Sequence, residues 1–309
     1  MSRKPMNAII SEALLEASTD AEKVAVLKKY DSDSLFKRIV QYAHNPLIQF
    51  GIDNIPEQPM GREHGMGISK FMHLPDDISS NSLTAKEGLF AINMVLSHIN
   101  EEEVSLFVGM FKKDLGLGLT VDIINEAWPN FIPPYPVMQP TPYDPSVFEN
   151  WYHFTLMEIH EGDRINIICR KGEVEFRDDT GKILTQFDEH KPVFSTLGKD
   201  GRIVFDGVWD GKQFILYDSI RYDGFVEGKD NRLGFNWRFN GIQQLWYMSK
   251  MDRENSIFKM PMFTAVPDLA QMKEEVTKLG KPCYLRSPSG IWKDGPSNEW
   301  QIVTPEDVA

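Results

Sequence analysis

Apolar residues recur at helical spacing through the first 130 positions. They alternate from about position 150 onward, and a run of prolines separates the two regimes. Ile9 to Leu15 carries one helical apolar face. Thr19-Asp20-Ala21-Glu22 reads as a capping box ahead of Val24, Val26 and Leu27, and Lys28-Lys29 stand where a last turn favours cations. Asp33 opens another amphipathic start, Leu35-Phe36-Lys37-Arg38-Ile39-Val40. Residues 50–82 are rich in Gly, Pro, Asp and Ser and read as a long connection. Thr84-Ala85-Lys86-Glu87 is a second capping box, leading Leu89, Ile92, Val95 and Leu96. Glu101-Glu102-Glu103 reads as a solvated helix start before Val104, Phe107 and Phe111. A last helix holds Val121, Ile124 and Ala127 and stops at Pro129.

Pro133, Pro134, Pro136, Pro140, Pro142 and Pro145 follow within a short stretch. That density excludes a helix or a central strand and marks an extended, semi-rigid linker. Residues 151–218 then alternate and are rich in β-branched and aromatic side chains. Arg170-Lys171-Gly172-Glu173, Asp178-Asp179-Thr180-Gly181, Gly198-Lys199-Asp200-Gly201 and Trp209-Asp210-Gly211 read as hairpin turns. Residues 231–247 and 267–279 read as helices, and Cys283 to Leu285 as a short strand before a turn at Pro288-Ser289-Gly290. The expected architecture is an all-helical domain at 1–132, a proline-rich linker at 133–150, and a mixed or antiparallel sheet domain at 151–309.

Composition narrows the class. The 309 residues are 41% hydrophobic and 25% charged, an ordinary globular balance. No apolar run reaches 18 residues, so no membrane helix is expected. The first residues lack an apolar signal core. Cys169 and Cys283 lie far apart and read as buried thiols in a reducing cytosol. The seven histidines are scattered, with no zinc spacing and no metal site expected. Net charge is −12. Residues 1–140 carry 12 Lys and Arg against 18 Asp and Glu, and the remainder 21 against 27, so neither half is basic. This argues against broad, salt-driven binding to nucleic acid.

Motif-scale patterns point further. Phe111-Lys112-Lys113-Asp114-Leu115-Gly116-Leu117-Gly118, then Asn125-Glu126-Ala127-Trp128-Pro129-Asn130-Phe131-Ile132-Pro133, resembles a segment of the N-terminal DNA-binding domain of ATP-dependent DNA ligases from tailed bacteriophages. Ser18-Thr19, Leu27-Lys28-Lys29 and Asp33 to Ile39 are similar to that family's early helices. The second half resembles its nucleotidyltransferase domain, eroded. Leu156-Met157-Glu158-Ile159-His160-Glu161-Gly162-Asp163-Arg164 stands where the family has Lys-x-Asp-Gly-x-Arg. Ile159 takes the place of the nucleophilic lysine and Glu161 that of the aspartate, while Gly162 and Arg164 remain. Asp178-Asp179-Thr180-Gly181 keeps only the glycine of a Ser-Arg-x-Gly element. In Phe205-Asp206-Gly207-Val208, Asp206 and Gly207 match Asp-Gly-Glu, and Val208 replaces the metal-linked glutamate. Phe214 to Asp218 fits the element whose first aromatic stacks on adenine in the family. Arg232-Leu233, Arg238-Phe239 and Gln243 resemble the helix that follows. In Gly280 to Arg286 only the basic residue Arg286 survives, and Lys281 reverses a glutamate's charge. Ser289-Gly290-Ile291-Trp292 matches a Gly-x-Trp turn. Gln301 and Val303 fall in the places of two lysines. The resemblance ends at Val303, and the family's C-terminal oligonucleotide-binding barrel is expected to be absent.

Adenylation needs an amine to attack the α-phosphate, and isoleucine offers none. Removing one charged clamp costs roughly 10²–10³ in rate, and here nucleophile, metal carboxylate and terminal lysines are lost together. The resemblance therefore implies a non-catalytic ligase-like phage protein, a DNA- or protein-binding accessory module in the cytoplasm of an infected bacterial cell. It would need no cofactor. Its partners would be duplex or nicked DNA, or phage or host replication, transcription or virion proteins, with no membrane. Ile159 and Val208 are expected to fill the former ATP cleft as core. The alternative is a surviving pocket that holds a nucleotide through Phe214 and Arg286 without turnover. Lys37, Arg38, Lys112 and Lys113 are the candidate phosphate contacts, with Arg62 and Lys70 as further members of such a patch. A second class is an active or partner-completed ligase using ATP and magnesium, for which Lys199-Asp200-Gly201-Arg202 is the displaced-nucleophile candidate. That segment, like Lys171 and Lys182, also reads as a solvated turn. A third class is a structural or DNA-mimicking protein-interaction component.

Overall fold

A computed structural model describes residues 4–52, 54–56, 65–80, 82–151, 153–170, 172–197, 202–227, 231–248 and 257–309. Arg62, Lys171 and Lys199 to Gly201 lie outside them, as does the side chain of Arg232. The chain forms two compact units, Met1–Pro134 and Tyr135–Ala309.

In the first unit the named elements are seven α-helices with short 3-10 turns: α1 (Met6–Glu16), α2 (Asp20–Lys29), α3 (Ser34–His44), α4 (Leu74–Ser79), α5 (Ala85–Leu96), α6 (Val104–Lys112) and α7 (Val121–Ala127). Both capping boxes form. Glu22 N–H donates to Thr19 Oγ1 at 3.2 Å and Thr19 N–H to Glu22 Oε2 at 3.0 Å, and Thr84 and Glu87 repeat the pattern. Leu27, Phe36, Ile39, Phe107 and Ile124 meet in the core, each about 1% exposed or less. Burial on this scale supplies the main drive for helices this short.

Two expectations change here. The connection at 50–82 holds a 3-10 turn at Ile68–Phe71 and α4, whose Ile68, Leu74 and Ile78 join the core. Their apolar signal was hidden among polar neighbours. Glu103 is not solvated. It is 2% exposed, accepting from Asn7 Nδ2 at 3.0 Å, Ile68 N–H at 3.0 Å and Asn100 Nδ2 at 3.1 Å.

The second unit contains β1 (Met138–Pro142), β2 (Phe154–Glu158), β3 (Asp163–Arg170), β4 (Glu173–Arg177), α8 (Lys191–Leu197), β5 (Arg202–Trp209), β6 (Phe214–Arg221) and α9 (Tyr222–Glu227). It continues with β7 (Asn231–Gly234), α10 (Phe235–Met248), β8 (Phe258–Lys259), β9 (Phe263–Val266), α11 (Leu269–Leu279), β10 (Cys283–Arg286), β11 (Ile291–Trp292), β12 (Gly295–Val303) and α12 (Pro305–Val308). One five-stranded sheet runs β1-β12-β10-β2-β9 and another β4-β3-β5-β6-β8, with a β11-β7 pair beside them. Pairing is antiparallel except for β1 with β12 and β6 with β8.

The proline-rich segment is therefore not a free linker. Met138–Pro142 is a strand of the second unit at a sheet edge, where prolines are tolerated. The helix expected from 231 starts at Phe235, and Asn231 and Gly234 of the strand before it pair with β11. Cys169 and Cys283 are buried free thiols, and burial pushes them up to about 12 and about 11. Among the described residues no helix is long and apolar enough to cross a membrane.

Candidate functional site

β2 ends at Glu158, and Ile159 to Gly162 form the connection into β3. Ile159 sits past the strand end, half-buried and outside the unit's hydrophobic clusters, so it is not the core residue expected. Glu161 is exposed. Gly162 has φ 149°, and a Cβ there would collide with the Trp209 carbonyl oxygen, so this turn requires glycine. Val208 sits in β5, half-buried and packed on the core, opposite Arg164 in the β3 ladder.

Arg164 and Asp206 lie diagonally across β3 and β5 and close on each other. Arg164 Nε donates to Asp206 Oδ1 at 3.0 Å and Nη2 to Oδ2 at 2.6 Å, a bidentate pair. Arg164 also donates to the Met138 carbonyl at 2.7 Å, and Asn166 Nδ2 to Asp206 at 3.0 Å. A bulge follows between Asp206 and Gly207, where a Cβ on Gly207 would strike the Ile215 carbonyl.

Arg286 is 2% exposed and does not face an open pocket. It pairs with Asp218, which also takes Arg238 Nε at 2.7 Å and Nη2 at 2.9 Å. The Arg286 guanidinium is sandwiched between the rings of Phe235 at 4.2 Å and Trp300 at 4.5 Å. Burial, opposed by Asp218 and aided by Arg238, brings its pKa down to about 10. Burial alone would raise the Asp218 carboxyl, but the two arginines outweigh it and hold it below its ordinary value.

Phe214 is 1% exposed in an aromatic cluster. Phe176 stacks on its ring at 5.3 Å and 22°, and Trp209, Phe187 and Phe194 crowd it at 4.6–5.5 Å. One face of the Phe214 ring is covered by Phe176. Gln301 is fully buried, accepting from Asp144 N–H at 2.8 Å and donating to the Asn298 carbonyl at 3.1 Å. Val303 is fully buried core.

One group escaped the sequence reading. Lys281 donates to Glu158 Oε1 at 2.6 Å, and His160 Nε2 lies 3.5 Å from the same carboxylate. Tyr217 O–H lies 3.1 Å from His160 Nδ1. The hydrogen bond from Lys281 holds Glu158 below its usual range, and burial lowers His160. In sequence Lys281 shows only a reversed charge, because its partner is 123 residues away.

The candidate phosphate contacts of the first unit are occupied to different degrees. Lys113, left-handed at φ 61°, caps α6 and donates to the carbonyls of Tyr42 at 2.6 Å, Asn45 at 2.8 Å and Ile48 at 2.8 Å. Those three bonds use all of its donors, so a phosphate role for Lys113 is corrected to a structural one. Lys37 pairs with Asp31 at 2.5 Å and lies 4.9 Å from the Trp128 ring. Arg38 pairs with Asp76 at 2.7 Å. Lys112 and Lys70 are exposed.

No family model matches the chain. A stretch of 140 residues, 44% of the chain, is 27% identical to the DNA ligase of Enterobacteria phage T4, and that of Enterobacteria phage T6 matches equally. The match spans 28% of the length of each of these ligases. A solved structure described as "Pmar-Lig_Pre." has a TM-score of 0.51 at 17% identity, over 98% of this chain and 78% of that one. An ATP-dependent DNA ligase from bacteriophage T7, in complex with ATP, has a TM-score of 0.47 at 11% identity, over 56% of this chain and 69% of that one. The sequence match supports a relation to the phage DNA ligases, and the 0.51 superposition extends a shared fold over nearly the whole chain.

Proposed function

We propose that this chain is a DNA-ligase-like protein that has lost adenylation and acts as a binding module for DNA or for a protein partner. The observation that carries the reading is Ile159 in the place of the attacking amine. The charged groups in the resembled motifs support the same reading, because they are closed on partners of opposite charge: Arg164 with Asp206, Arg286 and Arg238 with Asp218, and Lys281 with Glu158. The residues present do not fit ATP and magnesium as the family holds them. Val208 has no carboxylate for a metal, Phe214 has no free face, and the buried guanidinium of Arg286 already neutralises a carboxylate. No step is derived through either group. On this reading the protein works in the cytoplasm of an infected bacterium.

The test is incubation of the purified protein with α-³²P-ATP and magnesium, followed by a denaturing gel. The expected result is no covalent label beside a strongly labelled phage T4 ligase control. A label that survives denaturation overturns the proposal.

A further inference from the structure

β9 is the last strand of its sheet. Glu158 N–H donates to the Met262 carbonyl at 3.0 Å, and the ladder with β2 is antiparallel. By alternation, Met262, Thr264 and Val266 turn their backbone groups toward β2, while Phe263 and Ala265 turn theirs outward. No strand among the described residues meets that outer edge. Exposed edges are usually blunted by charge, proline or a bulge. Phe263-Thr264-Ala265-Val266 has none of these. Its flank is apolar and open, with Met262 71% and Phe263 42% exposed.

A cavity of about 580 Å³ adjoins the same strand, walled by Met157, Trp246, Met260, Phe263 and Leu279. Methionines adapt to varied apolar shapes, and the volume exceeds that of any single side chain. Lys259 and Lys281 stand at its rim with one carboxylate, Glu158, between them. Glu158 holds Lys281, whereas among the described residues Lys259 meets the Asp210 carboxylate only at 4.0 Å, the outer limit of an ion pair. The rim therefore suits an incoming acid at Lys259.

We propose that the β9 edge and this cavity form one docking site for an extended segment of a partner protein. The segment adds to β9 as a strand, seats a large apolar side chain in the cavity and places an acidic residue against Lys259. Outward backbone groups beside an apolar cavity are what strand addition uses, main-chain bonds for affinity and a pocket for selection. The site gives the binding-module reading a partner class and rests on that reading.

The probe is a fluorescein-labelled heptapeptide of alternating valine and threonine with a central phenylalanine flanked by glutamate, titrated against the full chain by anisotropy. Binding is expected, weakened at least about tenfold by Ala265→Pro, which removes an outward N–H at a position where an edge strand tolerates proline. Lys259→Glu is expected to weaken the glutamate peptide about 3- to 10-fold and to favour its lysine counterpart. Should Ala265→Pro fail to fold, N-methylation of the peptide's backbone gives the same loss on unaltered protein. Absence of binding below about 1 mM, or binding indifferent to both Ala265→Pro and N-methylation, overturns the proposal. So does equal binding of N-acetylphenylalaninate, which assigns the cavity to small acids instead. A covalent adenylate in the labelling assay overturns the non-catalytic reading alone, so the two failures are distinguishable.

Discussion

The two units hold their charges differently. In the helical unit, Lys37 and Arg38 lean on single carboxylates at the surface, and the side chains of Arg38 and Asp76 are 45% and 57% exposed. In the sheet unit, Asp218, Arg238 and Arg286 are each about 3% exposed or less, and both arginines donate to Asp218. Exposed pairs form in water at little gain and release their partners readily. Buried groups have already lost their hydration, and removing one partner leaves the others unsatisfied. The first arrangement leaves cations recruitable by a phosphate. The second leaves no member of the cluster without a partner of opposite charge.

The strongest way to break that contrast is Asp218→Ala. It leaves two guanidinium groups buried without their carboxylate, and a loss of about 3–5 kcal/mol is expected, read as a lower urea midpoint for the sheet unit. An unchanged midpoint would mean the cluster is not closed. The sign with pH follows. The Asp218 carboxyl is held below its usual 3.8, so its contribution is complete above that value and is lost as pH falls through the depressed folded value. The sheet unit is therefore expected to keep this contribution at pH 5.

The helical unit is expected to weaken earlier. His44 is pushed down to about 4, chiefly by burial and also by Lys113, and its Nε2 has no partner among the described residues. Unfolded, it takes up a proton near 6.5, so stability is complete above that pH and falls between 6.5 and 4. The shift corresponds to about 3 kcal/mol at most. Thermal melts at pH 7 and pH 4.5, with His44→Phe abolishing the slope, check it. A His44→Phe protein with the wild-type slope would assign the sensitivity elsewhere.

Lys113→Met sharpens the comparison inside the helical unit, because Lys113, among the described candidate phosphate contacts, is the one held by three backbone carbonyls. Three carbonyls lose their donor, and a loss of about 2 kcal/mol is expected. Chemical denaturation reads it. Loss of DNA affinity with no loss of stability would restore Lys113 as a phosphate contact.

What was legible in the sequence was local. The boxes at Thr19 and Thr84 are visible because both halves lie three residues apart, and the turns at Gly172 and Gly211 because glycine marks them. Met138–Pro142 hid its pairing because its partner, β12, begins more than 150 residues later and prolines mask an edge strand. At the site, Ile159, Arg164, Asp206 and Arg286 could be singled out by motif, but not what they touch. Arg286 meets an aspartate 68 residues away, and Phe214 meets Phe176 from a different strand. The β9 cavity gave no signal, since its walls come from β2, β9, the end of α10 and the end of α11.

The smallest expected effect is Asp76→Ala, and it bears on the DNA question most directly. Asp76 accepts from Arg38 and Tyr42 at the surface, and such an exposed pair is worth about 0–1 kcal/mol, so stability should barely move. What should move is affinity for nicked duplex, because Arg38 loses its competing carboxylate. In gel shifts across a salt series, a phosphate contact by Arg38 predicts tighter binding for Asp76→Ala. It also predicts a slope of log affinity against log salt steeper by up to about 1. Arg38→Ala should do the reverse. If neither variant shifts the duplex at low salt, the exposed cations do not read phosphate. The proposed binding role would then rest on the sheet unit, where β9 is an edge strand.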